Sequence, residues 1–178
     1  MSKLRAEGGY TLIELLTVMV IFMTVMTGLM TLFVQGTNAE TDMQNRFQAQ
    51  QEARLALNKL RREAHCASAV SAYSQTSITL TMASYCPTAK SSVTWCSVAI
   101  TGTTRYGLYR KMGGTCDATG VKFADYLTTG NIFPAYTAQS TSSLAKLSVI
   151  FPVNPKPKRP IDSYQLSDDI VLRNSVRQ

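Results

Sequence analysis

Apolar and polar positions are spread very unevenly along the chain. From Leu15 to Val34 twenty consecutive residues, LLTVMVIFMTVMTGLMTLFV, carry no charge. At about 1.5 Å rise per residue, a helix of that length reaches roughly 30 Å, the thickness of a bilayer's hydrocarbon core. Thr17, Thr24, Thr27 and Thr31 interrupt the run only mildly, because a threonine hydroxyl bonds back onto a helix carbonyl. Past Val34 the pattern turns polar at Gln35-Gly36-Thr37-Asn38, a weak point in a helix, and then becomes amphipathic. Ala53, Leu57, Leu60 and Ala64 recur at spacings of 4, 3 and 4, with Ala49 and Ala56 on the flank. They draw one apolar stripe on a helix whose other faces carry Arg54, Lys59, Arg61 and Arg62, read as a solvated face with i+4 pairs. The pattern predicts one helix from Tyr10 to about Ala67, with a bare apolar half over 10–35 and an amphipathic half over 36–67.

Over 68–178 the period changes from helical to alternating. Ser77–Met82 alternates strictly and Val93–Ile100 in part; Arg105–Arg110 follows a turn at Gly102, and Leu144–Phe151 and Ile170–Arg173 complete the set. Such runs, bounded by Gly, Pro, Ser and Asn, are strand signals. Their succession predicts an antiparallel meander, a looser segment over 113–143, and a last hairpin. One face of that sheet is apolar and needs a cover, and the helix stripe is the obvious one. The expected class is therefore α+β. Val153-Asn154-Pro155-Lys156-Pro157-Lys158-Arg159-Pro160 cannot continue a paired strand, because proline has no amide proton to give. It reads as an extended, exposed loop between the last two strands.

Length and composition narrow the class. The 178 residues are 45% apolar and 16% charged, enough for one folded domain and unlike disordered, collagen-like or cysteine-dense chains. The net charge is +7. Lys3 and Arg5 precede the apolar run and no further Lys or Arg appears until Arg46, an asymmetry that keeps the first residues in the cytoplasm and sends the rest across. Cys66, Cys86, Cys96 and Cys116 all follow the run, on the side where disulfides persist. No C-x-x-C spacing exists and the single histidine, His65, cannot complete a zinc set, so structural disulfides are expected and neither a metal nor a cofactor is assigned. Cys66 ends the helix, Cys86 and Cys116 end strands and Cys96 sits within one, which leaves all three pairings open. No catalytic site is assigned: there is no G-x-S-x-G elbow and no phosphate loop, and Asp168-Asp169 reads as a turn or strand start.

Glu14 is the residue that a plain membrane anchor does not explain. A carboxylate at the edge of an uncharged span costs up to about 2.5–3.5 kcal/mol on insertion scales, less near the interface, so it needs a partner. A secretory signal peptide does not fit either, since the apolar core is too long and the small pair Gly8-Gly9 precedes it. Cleavage after Gly9 would supply a partner. Tyr10 would become the new amino terminus, with Glu14 at i+4 on the same face, at the positive end of the helix dipole. The amine of the same chain or of a neighbour would neutralise the acid and set the register of packed helices.

Gly9-Tyr10-Thr11-Leu12-Ile13-Glu14-Leu15-Leu16 resembles the processing motif of type IV prepilins and type II secretion pseudopilins. In that family a small basic leader ends in Gly, an aromatic or large apolar residue follows, Glu falls at the fifth mature position, and a long apolar helix continues. Tyr10 stands where Phe is usual. The resemblance implies a cleaved leader over 1–9, cleavage between Gly9 and Tyr10 by prepilin peptidase, N-methylation of Tyr10, and Glu14 as the assembly carboxylate. The fold it implies is pilin-like, with an extracytoplasmic β-rich head over 68–178. The implied partners are a major pilin, other minor pilins or pseudopilins, an inner-membrane platform protein and membrane lipid. The implied location is the cytoplasmic membrane, then a surface or periplasmic filament. The end of the chain, Leu166–Asn174, loosely resembles the last strand of the larger minor subunits. A rival reading makes the head a competence-type DNA-binding module that grips DNA through Lys156, Lys158 and Arg159; another is a simple membrane-anchored extracellular domain.

Overall fold

The computed structural model describes residues 10–87, 90–156, 159 and 162–175. The leader over 1–9, with Gly9, lies outside them, as does Lys158. The chain divides into two compact units between Gln44 and Asn45.

In the first unit, helix α1 (Leu12–Cys66) begins. Every residue from Tyr10 to Thr41 is exposed. Thr17 donates to the Glu14 carbonyl at 2.9 Å, Thr24 to Ile21 at 2.7 Å, Thr27 to Met23 at 2.8 Å and Thr31 to Thr27 at 2.8 Å. The hydroxyls are thus spent on the helix itself, and the lateral surface stays apolar. The expected weak point at Gly36 does not appear. The helix carries through it, with Thr37 bonded to the Val34 carbonyl at 3.0 Å and Thr41 to that of Thr37 at 2.9 Å.

The second unit holds the end of α1 and eight antiparallel strands: β1 (Ala67–Tyr73), β2 (Ser77–Met82), β3 (Ser92–Ala99), β4 (Tyr106–Met112), β5 (Val121–Leu127), β6 (Ala135–Thr137), β7 (Lys146–Val153) and β8 (Tyr164–Val171). They form one sheet in the order β1-β2-β3-β4-β5-β7-β6, with β8 also paired to β7. The α+β class read from the pattern, and the pilin-like arrangement that the resemblance implies, are those observed. Ala53, Leu57, Leu60 and Ala64 are all buried, as are Ala49 and Ala56. Alanines let the helix backbone lie close to the sheet, while Ile78, Leu80, Trp95, Leu108, Leu147, Val149, Phe151 and Ile170 fill the space beneath. β2 and β7 bury every second residue, the signature of a one-sided sheet.

Several expectations fail, each for a local reason. β1 starts directly at the helix end where no strand was expected, and its pairing with β2 carries two register irregularities that blur its period. The loose segment over 113–143 contains β5 and β6. β8 begins at Tyr164 rather than Ile170, so Asp168 and Asp169 lie within a strand and not at a turn. Cys86 and Cys116 lie in loops beyond the ends of β2 and β4. The proline-rich loop is not wholly exposed either: Asn154 and Pro155 are buried, Lys156 is half-buried, and Arg159 is exposed.

Candidate functional site

At the start of α1 the sequence Thr11-Leu12-Ile13-Glu14 folds into a capping box. The Thr11 backbone N–H donates to Glu14 Oε2 at 2.9 Å and the Thr11 hydroxyl to the same oxygen at 3.0 Å, while the Glu14 N–H reaches the Thr11 hydroxyl oxygen at 3.4 Å. Two of the donors that a helix start leaves unpaired are therefore satisfied inside one turn. Glu14 thus has partners before any new amino terminus exists. Sequence reasoning passed over this role for Thr11, although T-x-x-E ahead of an apolar run is its signal. Tyr10 is exposed, next to the cap.

In the second unit the helix is fastened to the sheet by charge as well as by packing. Glu63 is buried, and Arg110 from β4 donates through Nε at 2.9 and 3.1 Å to its two oxygens, with Nη2 at 2.7 Å. The Trp95 indole N–H donates to Glu63 Oε2 at 2.8 Å, and Lys59 stands 3.4 Å from Oε1. Lys59–Glu63 is an i,i+4 pair and Arg62 is exposed, but Arg46, Arg54 and Arg61 bind across the fold, which corrects the solvated-face expectation for those three. Arg61 meets Asp168 at 2.8 Å, Arg54 donates to the Tyr164 hydroxyl at 3.0 Å, and Arg46 is ion-paired with the buried Asp162. The helix ends under a side chain from far along the chain: Asn174 Nδ2 donates to the His65 carbonyl at 2.8 Å and to that of Cys66 at 3.3 Å. The lone histidine accompanies it, with Nδ1 2.8 Å from the Val171 carbonyl.

The four cysteines pair as Cys66–Cys86 and Cys96–Cys116, each with Cα atoms 5.9 Å apart. The first bond ties the helix end to the β2–β3 loop. The second ties the β4–β5 loop to β3, where Thr94 donates to the Gly114 carbonyl at 3.0 Å and is buried on the sheet's other face. In the same loop the Thr119 hydroxyl, the Lys111 ammonium and the Thr119 N–H all bond the Asp117 carboxylate and hold it down at about 2. On β8, Lys146 and then Ser148 lower Asp169 in the same manner.

The exposed apolar helix half is long and apolar enough to cross a membrane by length and composition. That helix half fits a membrane-anchored protein, and the long helix with its antiparallel sheet is an α+β, pilin-like architecture. Residues 4–30 match a family profile described as the prokaryotic N-terminal methylation motif. That motif is the hallmark of type IV pilins and pseudopilins, and it points to a structural subunit, processed by prepilin peptidase and assembled with other pilins. No curated protein and no solved structure matches the chain.

Proposed function

We infer that this chain is a minor subunit of a type IV pilus, type II secretion or related filament. It is cut between Gly9 and Tyr10, methylated on the Tyr10 amine, and drawn from the cytoplasmic membrane into the filament with its head outward. The observation that carries the reading is Glu14, an acid at the start of the exposed apolar half of α1, in a motif that ends a short basic leader. Both cap hydrogen bonds to the Glu14 carboxylate fall on Oε2. A carboxylate has a second oxygen, so an incoming amine and the cap do not compete. The cap aims the acid; the Tyr10 amine of a neighbour then neutralises it in surroundings of low dielectric.

Two measurements test this. Mass spectrometry of the mature chain should show a start at Tyr10 with one added methyl group; an intact Met1 start, or a cut after the apolar run, would support a simple anchored domain instead. Glu14→Ala should leave the membrane-held protein at normal abundance and remove it from filaments. Normal incorporation of that variant sinks the assembly role.

A further inference from the structure

The strands at the edges of the sheet, β1, β6 and β8, differ in how well their open side could be paired. β6 is three residues long, and β1 carries two register irregularities against β2. Shortness and irregularity of this kind blunt an edge. β8 has neither defence. Its eight residues pair with β7 in unbroken register, from Val153↔Tyr164 to Lys146↔Val171, and contain no proline or lysine. The Leu172 N–H donates to the Ala145 carbonyl at 2.9 Å, which fixes the alternation. Leu166, Asp168 and Ile170 therefore turn their backbone groups toward β7, while Gln165, Ser167, Asp169 and Val171 turn theirs away. His65 Nδ1 lies 2.8 Å from the Val171 carbonyl and occupies it. Among the described residues nothing meets the outward N–H and C=O groups of Gln165, Ser167 and Asp169, and all three residues are exposed. The two acids that would otherwise guard this edge by charge are neutralised within the fold, Asp168 by Arg61 and Asp169 by Lys146, each at 2.8 Å.

A shallow lane on α1 runs beside the start of this edge. Arg54 joins the two: its Nη2 donates to the Tyr164 hydroxyl at 3.0 Å, and its guanidinium lies 5.7 Å from the Tyr164 ring centroid. Around Arg54, the side chains of Phe47, Gln50, Gln51 and Leu55 line a hollow of about 160 Å³. Phe47 and Leu55 are 67% and 59% exposed, although both belong to the folded second unit and not to the bare half of the helix.

We propose that the β8 edge takes up an extended segment of a different protein as a further antiparallel strand, with Phe47 and Leu55 as its side-chain contacts. In strand addition the main-chain hydrogen bonds supply the affinity, and pockets for alternate side chains supply the specificity. Gln165, Ser167 and Asp169 present their free backbone groups at intervals of about 7 Å, the repeat of a paired strand. The incoming segment carries large apolar residues at alternate positions on its helix-facing side, where Phe47 and Leu55 lie, and polar residues between them. A second copy of this chain is the wrong occupant. β8 has one free edge, so two copies meet there only about a twofold axis. That axis sets both helices on one side of the joined sheet and brings Arg54 and Arg61 of one copy toward those of the other, a like-charge approach. The copy's helix-facing residues also include Asp168, an acid where the lane is apolar. This reading concerns the second unit alone and does not rest on the filament role.

The test uses the full chain in a neutral detergent and a fluorescent peptide of about nine residues, a strand's length, with apolar residues at alternate positions, threonine between them and lysine at both ends. A peptide of the same composition without the alternation is the control. Fluorescence anisotropy should show saturable binding of the alternating peptide alone. Ser167→Pro removes one outward N–H and leaves the β7 ladder intact, so it should weaken binding about tenfold or more, with the melting temperature of the head as the check on folding. Ser167→Ala should leave binding unchanged, and Phe47→Ser and Leu55→Ser should each weaken it several-fold. N-methylation of alternate peptide amides reads the same contact on the unaltered protein: methylating one alternate set should abolish binding and methylating the other should not. The proposal is overturned by no binding up to about 1 mM peptide, since main-chain pairing tolerates sequence. Equal effects of Ser167→Pro and Ser167→Ala, indifference to which amides are methylated, or equal binding of the control peptide also overturn it. A dimer of the full chain that Ser167→Pro dissolves overturns it too, reassigning the edge to a second copy.

Discussion

Removing the carboxylate of Glu63 should unfasten the head as much as a large apolar truncation in its core. Glu63 and Arg110 are 4% and 6% exposed, and the guanidinium has its bidentate partner in that one carboxylate. Glu63→Ala strands a buried cation and leaves the Trp95 N–H without its acceptor, and breaking a buried pair from one side costs about 3–5 kcal/mol. In a unit of this size each kcal/mol lowers the melting temperature by a few degrees, so the expected fall is roughly 10–15 °C. Trp95 is the chain's only tryptophan and its indole touches the altered residue, so its fluorescence reports the transition locally during heating of the full chain in a mild detergent. The double variant Glu63→Leu with Arg110→Met removes both charges and should recover most of the loss, because a buried ion pair replaced by apolar groups is often neutral or better. A single variant that melts within about 3 °C of the parent, or a double variant as unstable as the sum of the singles, would refute the reasoning.

Two further expectations concern the loops. Cys66→Ser with Cys86→Ser frees a 20-residue separation and should cost about 3 kcal/mol by the loop-entropy relation, seen as a lower melting temperature that reducing agent no longer changes through this bond. A melting temperature equal to the parent's under oxidising conditions would contradict it. Asp117 titrates at about 2 when folded against 3.8 as its ordinary value, so its contribution is complete above about pH 4 and is lost as pH falls toward 2. NMR titration should place its midpoint near 2 and Thr119→Ala should raise it; a midpoint near the ordinary value in the parent refutes the assignment.

What the sequence made legible was periodicity backed by enough residues. The stripe of Ala53, Leu57, Leu60 and Ala64 and the alternation of β2 and β7 each repeat several times, so one misplaced residue does not hide them. β6 has three residues, too few for any period to register. β5 reads Val121-Lys122-Phe123-Ala124-Asp125-Tyr126-Leu127, and its alternation is broken by Tyr126 at positive φ and by two register shifts against β4. Phe133 is fully buried in a connection with no strand pattern at all. Charges misled for a different reason. Sequence spacing shows only partners on the same helix, whereas Arg46, Arg54 and Arg61 find theirs more than one hundred residues away. The cysteine pairing was equally beyond spacing, since it depends on which loops fold over which face. The cap at Thr11 is the one miss for which the signal was in plain view.

That miss changes the account of the acid in the apolar helix. With an uncapped Glu14, neutralisation by an amine would have to offset the whole cost of placing a carboxylate at the edge of lipid, up to about 2.5–3.5 kcal/mol. The Thr11 N–H and hydroxyl already meet part of that need, in the isolated chain and without a neighbour. In the assembly role proposed above, the cap makes the residue tolerable while the subunit waits in the membrane, and the carboxylate has a second oxygen to offer a partner. An acid satisfied too well by its own turn would lack a reason to assemble, and one left bare would be expelled toward water. In the proposed role, a threonine three residues ahead of a glutamate, at the positive end of a long helix dipole, would hold the chain between those limits.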